Sequence, residues 1–191
     1  MAHKHASGIV RGALIACEDG DVAIEAVGIG DIVNTLSDGP QVVRWVGRAM
    51  ATSPMVRFQA GALGEGTPAQ DLLVAPAQRM VISGWQAEVL FGETRVLVLA
   101  EDLLNGGSIA LSGSDTEAEV FYILFDKHES IKANGAPSES FYPGRSALKA
   151  LSAAARAALA QQVPELSTLD PNRPFALVYP DISAAEAALL R

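Results

Sequence analysis

Cysteine occurs once in the 191 residues, at Cys17, so no disulfide can form within the chain and nothing asks for an oxidising compartment. Long apolar runs are missing too. The longest, at residues 96–100 and 120–125, fall far short of the roughly 20 residues that a membrane-spanning helix needs. The opening Met-Ala-His-Lys-His-Ala-Ser-Gly lacks the apolar centre of a secretion signal, and a cytoplasmic protein is the expectation. Positive charge is scarce: 14 lysines and arginines face 22 acidic residues, for a formal net charge of −8, and they are scattered. Nucleic acid and anionic membrane need clustered cations against their phosphates, so neither is expected as a partner. Metal-type ligands are few. His3 and His5 form a close pair on a terminal segment, and His128, Glu129 and Glu139 match no ligand spacing, so no metal and no cofactor is expected.

What is present reads as a globular chain, with 49% hydrophobic and 19% charged residues. The first two-thirds alternate short apolar segments with turns. Strands are expected at residues 14–17, 21–27, 32–36, 41–48, 55–60, 72–75, 80–83, 86–90 and 94–99. Glu18-Asp19-Gly20, Gly28-Ile29-Gly30-Asp31 and Ser37-Asp38-Gly39-Pro40 mark hairpin corners. Gly28-Ile29-Gly30 lacks the third glycine and the following helix of a dinucleotide loop, so a β-turn accounts for it. Residues 95–99 and 119–125 are apolar on both faces, the pattern of central strands. Residues 100–104 suggest one helical turn, and Cys17 reads as a small buried residue at a strand end.

The pattern changes after Pro143-Gly144. Leu148, Leu151, Ala155, Ala158 and Leu159 fall at helical spacing and predict one amphipathic helix, packed on the β domain and ended by Val163-Pro164. Residues 165–181, with prolines and Asn or Asp turns, predict a wrapping loop. Ser183 and Glu186 have capping-box spacing for a short last helix. The expected organisation is a β domain over residues 8–144 and a helical tail over 145–191.

Several stretches, in order, carry a resemblance. The run Gly12-Ala13-Leu14-Ile15-Ala16-Cys17-Glu18-Asp19-Gly20-Asp21-Val22-Ala23-Ile24-Glu25 leads to Gly30-Asp31-Ile32-Val33. Pro40-Gln41-Val42-Val43-Arg44-Trp45-Val46-Gly47-Arg48 follows, then Ala60-Gly61-Ala62-Leu63-Gly64 and Asp71-Leu72-Leu73-Val74. Tyr122-Ile123-Leu124-Phe125-Asp126-Lys127-His128-Glu129, Ala133-Asn134-Gly135 and Glu139-Ser140-Phe141-Tyr142-Pro143-Gly144 complete the series. Over residues 8–165 the sequence resembles the bacterial Hint family, the fold shared by hedgehog autoprocessing domains and inteins. The resemblance implies a mostly β, horseshoe-like fold with pseudo-twofold halves, and a chemistry of autocatalytic peptide bond cleavage.

The same resemblance implies where that chemistry would sit. The family nucleophile, a Cys or Ser at the first position, corresponds to Gly8, which has no side chain. Ser7 is the back-up nucleophile, usable only if the segment bulges and a base activates it. The family's Thr-x-x-His corresponds to Ala75-Pro76-Ala77-Gln78, and an amide cannot act as a general acid near neutrality. The terminal His-Asn-nucleophile set corresponds to Glu139, Ser140 and Phe141. His128 alone survives of the ionisable set, with Asp126 two residues before it. The expected function is that of a degenerate, non-splicing Hint-like domain serving a structural role or binding an unknown protein or peptide, with no catalytic residue. Two alternatives stay open: residual self-cleavage with Ser7 helped by His128, and small-molecule or peptide binding in the former catalytic cleft around Gly8, Gln78 and His128.

Overall fold

A computed structural model describes residues 7–113 and 117–190; His3 and His5 lie outside them. The chain forms β1 (Ile9–Val10), β2 (Leu14–Cys17), β3 (Gly20–Ala23), β4 (Ile32–Thr35), β5 (Gly39–Val42), β6 (Trp45–Ala51) and β7 (Val56–Phe58). Next come β8 (Leu72–Val74), β9 (Arg79–Ser83), helix α1 (Trp85–Phe91), β10 (Arg95–Leu99), β11 (Ile109–Leu111) and β12 (Ala118–Leu124). The last elements are β13 (Ser130–Ala133), β14 (Ala136–Glu139), α2 (Arg145–Ala150), α3 (Ala153–Gln162) and α4 (Ala184–Ala187).

The fold is mostly β, as the resemblance implied. One sheet has the order β11-β7-β8-β1-β12-β6 and the other β10-β9-β14-β13-β2-β4-β5, with β3 paired to β2. Among the described residues every strand pairing is antiparallel except an isolated parallel bridge between Leu97 and Asp181. Among the described residues no helix is long and apolar enough to cross a membrane.

Strand β12 is central and buried on both faces, which explains its unbroken apolar run. Phe121 and Ile123 join the core shared by the two sheets, with Ile9, Val74, Met80 and Ile131. Val120, Tyr122 and Leu124 point the other way, into a second cluster with Trp45, Phe141, Leu151, Leu159 and Val163. The period of two along a strand sends alternate side chains to opposite layers, so both layers had to be apolar.

Five expectations are corrected. Residues 86–90 are helix, not strand: Gly84 and Gly92, at φ of +109° and +70°, bracket a seven-residue helix with Ala87 buried. Strand β3 ends at Ala23, and Ile24–Ala26 is a 3-10 turn that buries Ile24. The expected strand at 41–48 is two strands in different sheets, with the crossing at Val43 and Arg44. The tail helix is broken into α2 and α3 because Ser152 leaves helical geometry to cap the second, its Oγ accepting from the Ala155 N–H. Strand β10 is buried along Val96 to Leu99 as expected, yet it is an edge strand rather than a central one. The chain's own C-terminal segment covers its open side: Leu97 donates to the Pro180 carbonyl, and Ile182 donates to the Leu97 carbonyl. Beyond it, Ser183 and Glu186 form the anticipated capping box at α4.

Candidate functional site

Gly8 enters the fold immediately before β1, which lies between β8 and β12. The ladder extends past β1 through the Ala75 N–H, which donates to the Gly8 carbonyl at 2.9 Å. Residues Ala75 to Gln78 then form a turn closed by the Gln78 N–H on the Ala75 carbonyl. That turn swings the Gln78 side chain back to the entering strand. Gln78 Oε1 accepts the Gly8 N–H at 2.9 Å, while Nε2 donates to Ser138 Oγ and to the Glu139 carbonyl, each at 2.9 Å. The amide orientation follows from the partners, because Gly8 N–H can only donate and the Glu139 carbonyl can only accept. Gln78 is 4% exposed, so this is a buried staple with both amide hydrogens used.

Gly8 itself is constrained beyond its missing side chain. Its φ is +123°, and an added Cβ would lie 2.9 Å from Val120 Cβ and 3.1 Å from Tyr122 Cε1. The space that a side chain at position 8 would need is already filled by β12.

His128 lies apart from this staple but joins it through Glu139. The His128 side chain is fully enclosed, with Nε2 3.1 Å from Glu139 Oε2 and Nδ1 accepting the Val178 N–H at 3.2 Å. A backbone N–H can only donate, so Nδ1 carries the lone pair and Nε2 the proton that goes to Glu139. Tyr142 meets the imidazole edge-on at a centroid distance of 5.2 Å. Glu139 is 4% exposed and is satisfied further by the Arg79 N–H at 3.0 Å and the Arg79 guanidinium at 3.5 Å. Arg79 also binds Asp181 through Nε and Nη2, at 2.9 and 3.0 Å. Burial works against its charge, but Glu139 and Asp181 outweigh that and hold the guanidinium well above its ordinary pKa.

The other anticipated residues fall as follows. Asp126 is ion-paired with Arg44, which also reaches Glu165, so it does not serve His128. Glu129 accepts from Ser37 instead of joining His128 and Glu139. Ser140 is buried, its Oγ accepting the Glu129 N–H at 2.9 Å. Phe141 packs between Trp45 and Tyr122 at centroid distances of 5.4 and 5.1 Å. Cys17 is buried at the end of β2, where burial first, then Asp31 and Asp21, push its thiol pKa up. Ser7 is half-buried, and among the described residues its hydroxyl makes no hydrogen bond.

Ser7, Gln78, Arg79, Glu139, Ser140 and Tyr142 line a cleft of about 880 Å³ that continues along α2. Gly8 and His128 do not line it, so the positions that the resemblance singled out are split between an open cleft and a closed interior. Sequence reasoning missed Arg79, Ser138 and the 178–181 strap. Arg79 follows Gln78 directly, but nothing in the spacing tied it to Asp181, 102 positions later.

Comparison with known proteins bears on the fold. A family model described as "Hint domain" matches residues 8–145. The solution structure of a bacterial intein-like domain from Clostridium thermocellum is similar at 15% identity and a TM-score of 0.52, covering 71% of this chain and 99% of that one. A splice-inactive variant of the AceL NrdHF class 3 split intein is similar at 16% identity and a TM-score of 0.49, covering 70% and 96%. No curated protein matches the sequence.

Proposed function

We propose that this chain, which belongs to the Hint domain family, is a non-cleaving member: a β unit over residues 8–144 with a tail over 145–191, retained as a structural or protein-binding module. The observation that carries the reading is the contact at the Ser7–Gly8 peptide bond. Cleavage there requires an atom at position 8 to attack the Ser7 carbonyl and a donor to protonate the departing Gly8 nitrogen. Position 8 supplies only hydrogen. The group that meets the Gly8 nitrogen is an amide oxygen, which accepts a proton's hydrogen bond and has no proton to give. The general acid step, typically worth about 10²–10⁴-fold, therefore has no agent. His128 does not replace it, since Val178 and Glu139 occupy both ring nitrogens.

The Ser7 alternative draws no support from the geometry, because no base lies within hydrogen-bond reach of its hydroxyl among the described residues. Intact-mass measurement after prolonged incubation with thiol and hydroxylamine tests the reading. The full chain should persist. Release of a short N-terminal peptide ending at residue 6 or 7 would overturn it, and loss of that release in Ser7→Ala would assign the attack to Ser7.

A second reading, ligand binding, is favoured by the cleft beside Gln78 and Glu139. Its volume of about 880 Å³ lies within the roughly 300–1,000 Å³ of small-molecule and peptide sites.

A further inference from the structure

Among the described residues half of the lysines and arginines are neutralised by neighbours: Arg11, Arg44, Arg48, Arg57, Arg79 and Lys127 each hold a carboxylate within 4 Å. Lys132 and Arg95, the latter on Tyr179, hold none, and neither do the exposed Arg145, Lys149, Arg156 and Arg173. These four are not dispersed. Arg145 and Lys149 lie one turn apart on α2 and both line the cleft. Arg156 and Lys149 share a shallow depression with Arg145 and Leu148, and Arg156 reaches back to the carbonyls that end α2 at Leu148 and Leu151. Arg173 follows Asn172, which lines the cleft and accepts from Arg145 Nε at 3.3 Å. The nearby Asp170 turns its Oδ1 onto Asn172 instead of onto a cation. In a chain of net charge −8, a lip of four unpaired cations beside an open cleft is a local reversal of sign.

We propose that this cleft binds a short acidic peptide in trans. The peptide's carboxylates would meet Arg145 and Lys149, and its apolar side chains would lie against Met50, Ala51 and Phe141. A polyanion such as single-stranded nucleic acid fits less well. Tight phosphate binding uses roughly 6–10 neutralised charges, and the rest of the acidic surface repels a long anion. A short peptide needs only a few carboxylates and gains from the apolar lining. The inference rests on the ligand-binding reading above and names the ligand class for it.

Anisotropy of a rhodamine-labelled peptide of alternating glutamate and valine, titrated with the full chain, tests this. The lysine-for-glutamate peptide and an oligothymidylate of matched charge run beside it. The acidic peptide should bind best, and its affinity should fall with rising salt. It should also fall about tenfold or more, at least about 1.4 kcal/mol, in the R145E/K149E variant. Ser146→Trp places a bulky ring on the cleft lining without changing charge, and should weaken binding as strongly. The proposal fails if the acidic peptide does not bind, if the lysine peptide or oligothymidylate binds equally well, or if either variant leaves affinity unchanged. Loss in R145E/K149E but not in Ser146→Trp would move the ligand to the open surface and overturn the cleft assignment. Thermal unfolding of both variants excludes misfolding as the cause, and intact mass on the same samples judges the non-cleaving reading separately.

Discussion

Replacing Gln78 by leucine removes the staple while keeping the volume nearly constant. The Gly8 N–H loses its side-chain acceptor and the Glu139 carbonyl loses a donor, both on buried residues. Ser138 Oγ retains the Arg79 carbonyl at 3.3 Å and suffers less. Each buried polar group left unpaired costs about 1–3 kcal/mol, and leucine recovers about 1 kcal/mol by burying more apolar surface. The net loss should be about 1–5 kcal/mol, an appreciable share of the roughly 5–15 kcal/mol that holds a domain folded. Urea titration followed by tryptophan fluorescence reads it, since Trp45 is buried and changes environment on unfolding, whereas Trp85 is exposed throughout. Gln78→Glu should be at least as damaging, because it sets a carboxylate oxygen against the Glu139 carbonyl. A loss below about 0.5 kcal/mol in Gln78→Leu, with unchanged urea dependence, would refute the reasoning, for it would mean that the three contacts do not hold β1, β9 and β14 together.

Further outcomes follow from the same structure. An added Cβ at Gly47 would lie 1.9 Å from the Trp45 ring, so Gly47→Ala should cost about 3 kcal/mol or more and shift Trp45 fluorescence to the red. Val178→Pro deletes the N–H that fixes the His128 tautomer; imidazole nitrogen shifts should show one Nε2–H tautomer in the wild type and a mixture in the variant. Burial raises the Tyr122 phenol pKa. Its contribution is therefore complete below the unfolded value of about 10 and is lost as the pH rises through the folded value, which equilibrium unfolding at alkaline pH will register.

The ordered motifs made the fold legible, and the structure gives some of them a physical reason. In Trp45-Val46-Gly47 the indole folds over position 47 on the same face of β6, so only glycine fits there. Asn134 in Ala133-Asn134-Gly135 has a φ of +49° and uses its side chain to take the Leu14 N–H and to reach the Asp71 carbonyl. Such residues are visible because they satisfy local geometry. The helix at Trp85–Phe91 was misread because a seven-residue helix with few buried side chains leaves too little periodicity to distinguish it from a strand. The edge position of β10 was hidden because the strap at Pro180 to Ile182 covers it and lets it be as apolar as a central strand. The resemblance singled out positions 8, 75 and 78, but not the contacts that join them. That Gln78 turns its oxygen to the Gly8 nitrogen depends on Ser138 and Glu139, which are brought beside it only by the pairing of β9 with β14.

The measurement that bears most directly on the account is amide hydrogen exchange at Gly8, read in a glycine-labelled heteronuclear spectrum of the wild type and of Gln78→Leu. If the side chain at position 78 accepts the hydrogen of the would-be leaving nitrogen, Gly8 exchanges slowly in the wild type and far faster in the variant. A Gly8 amide that exchanges as fast as that of an exposed turn glycine such as Gly106, or one whose protection survives the loss of Gln78, would contradict it.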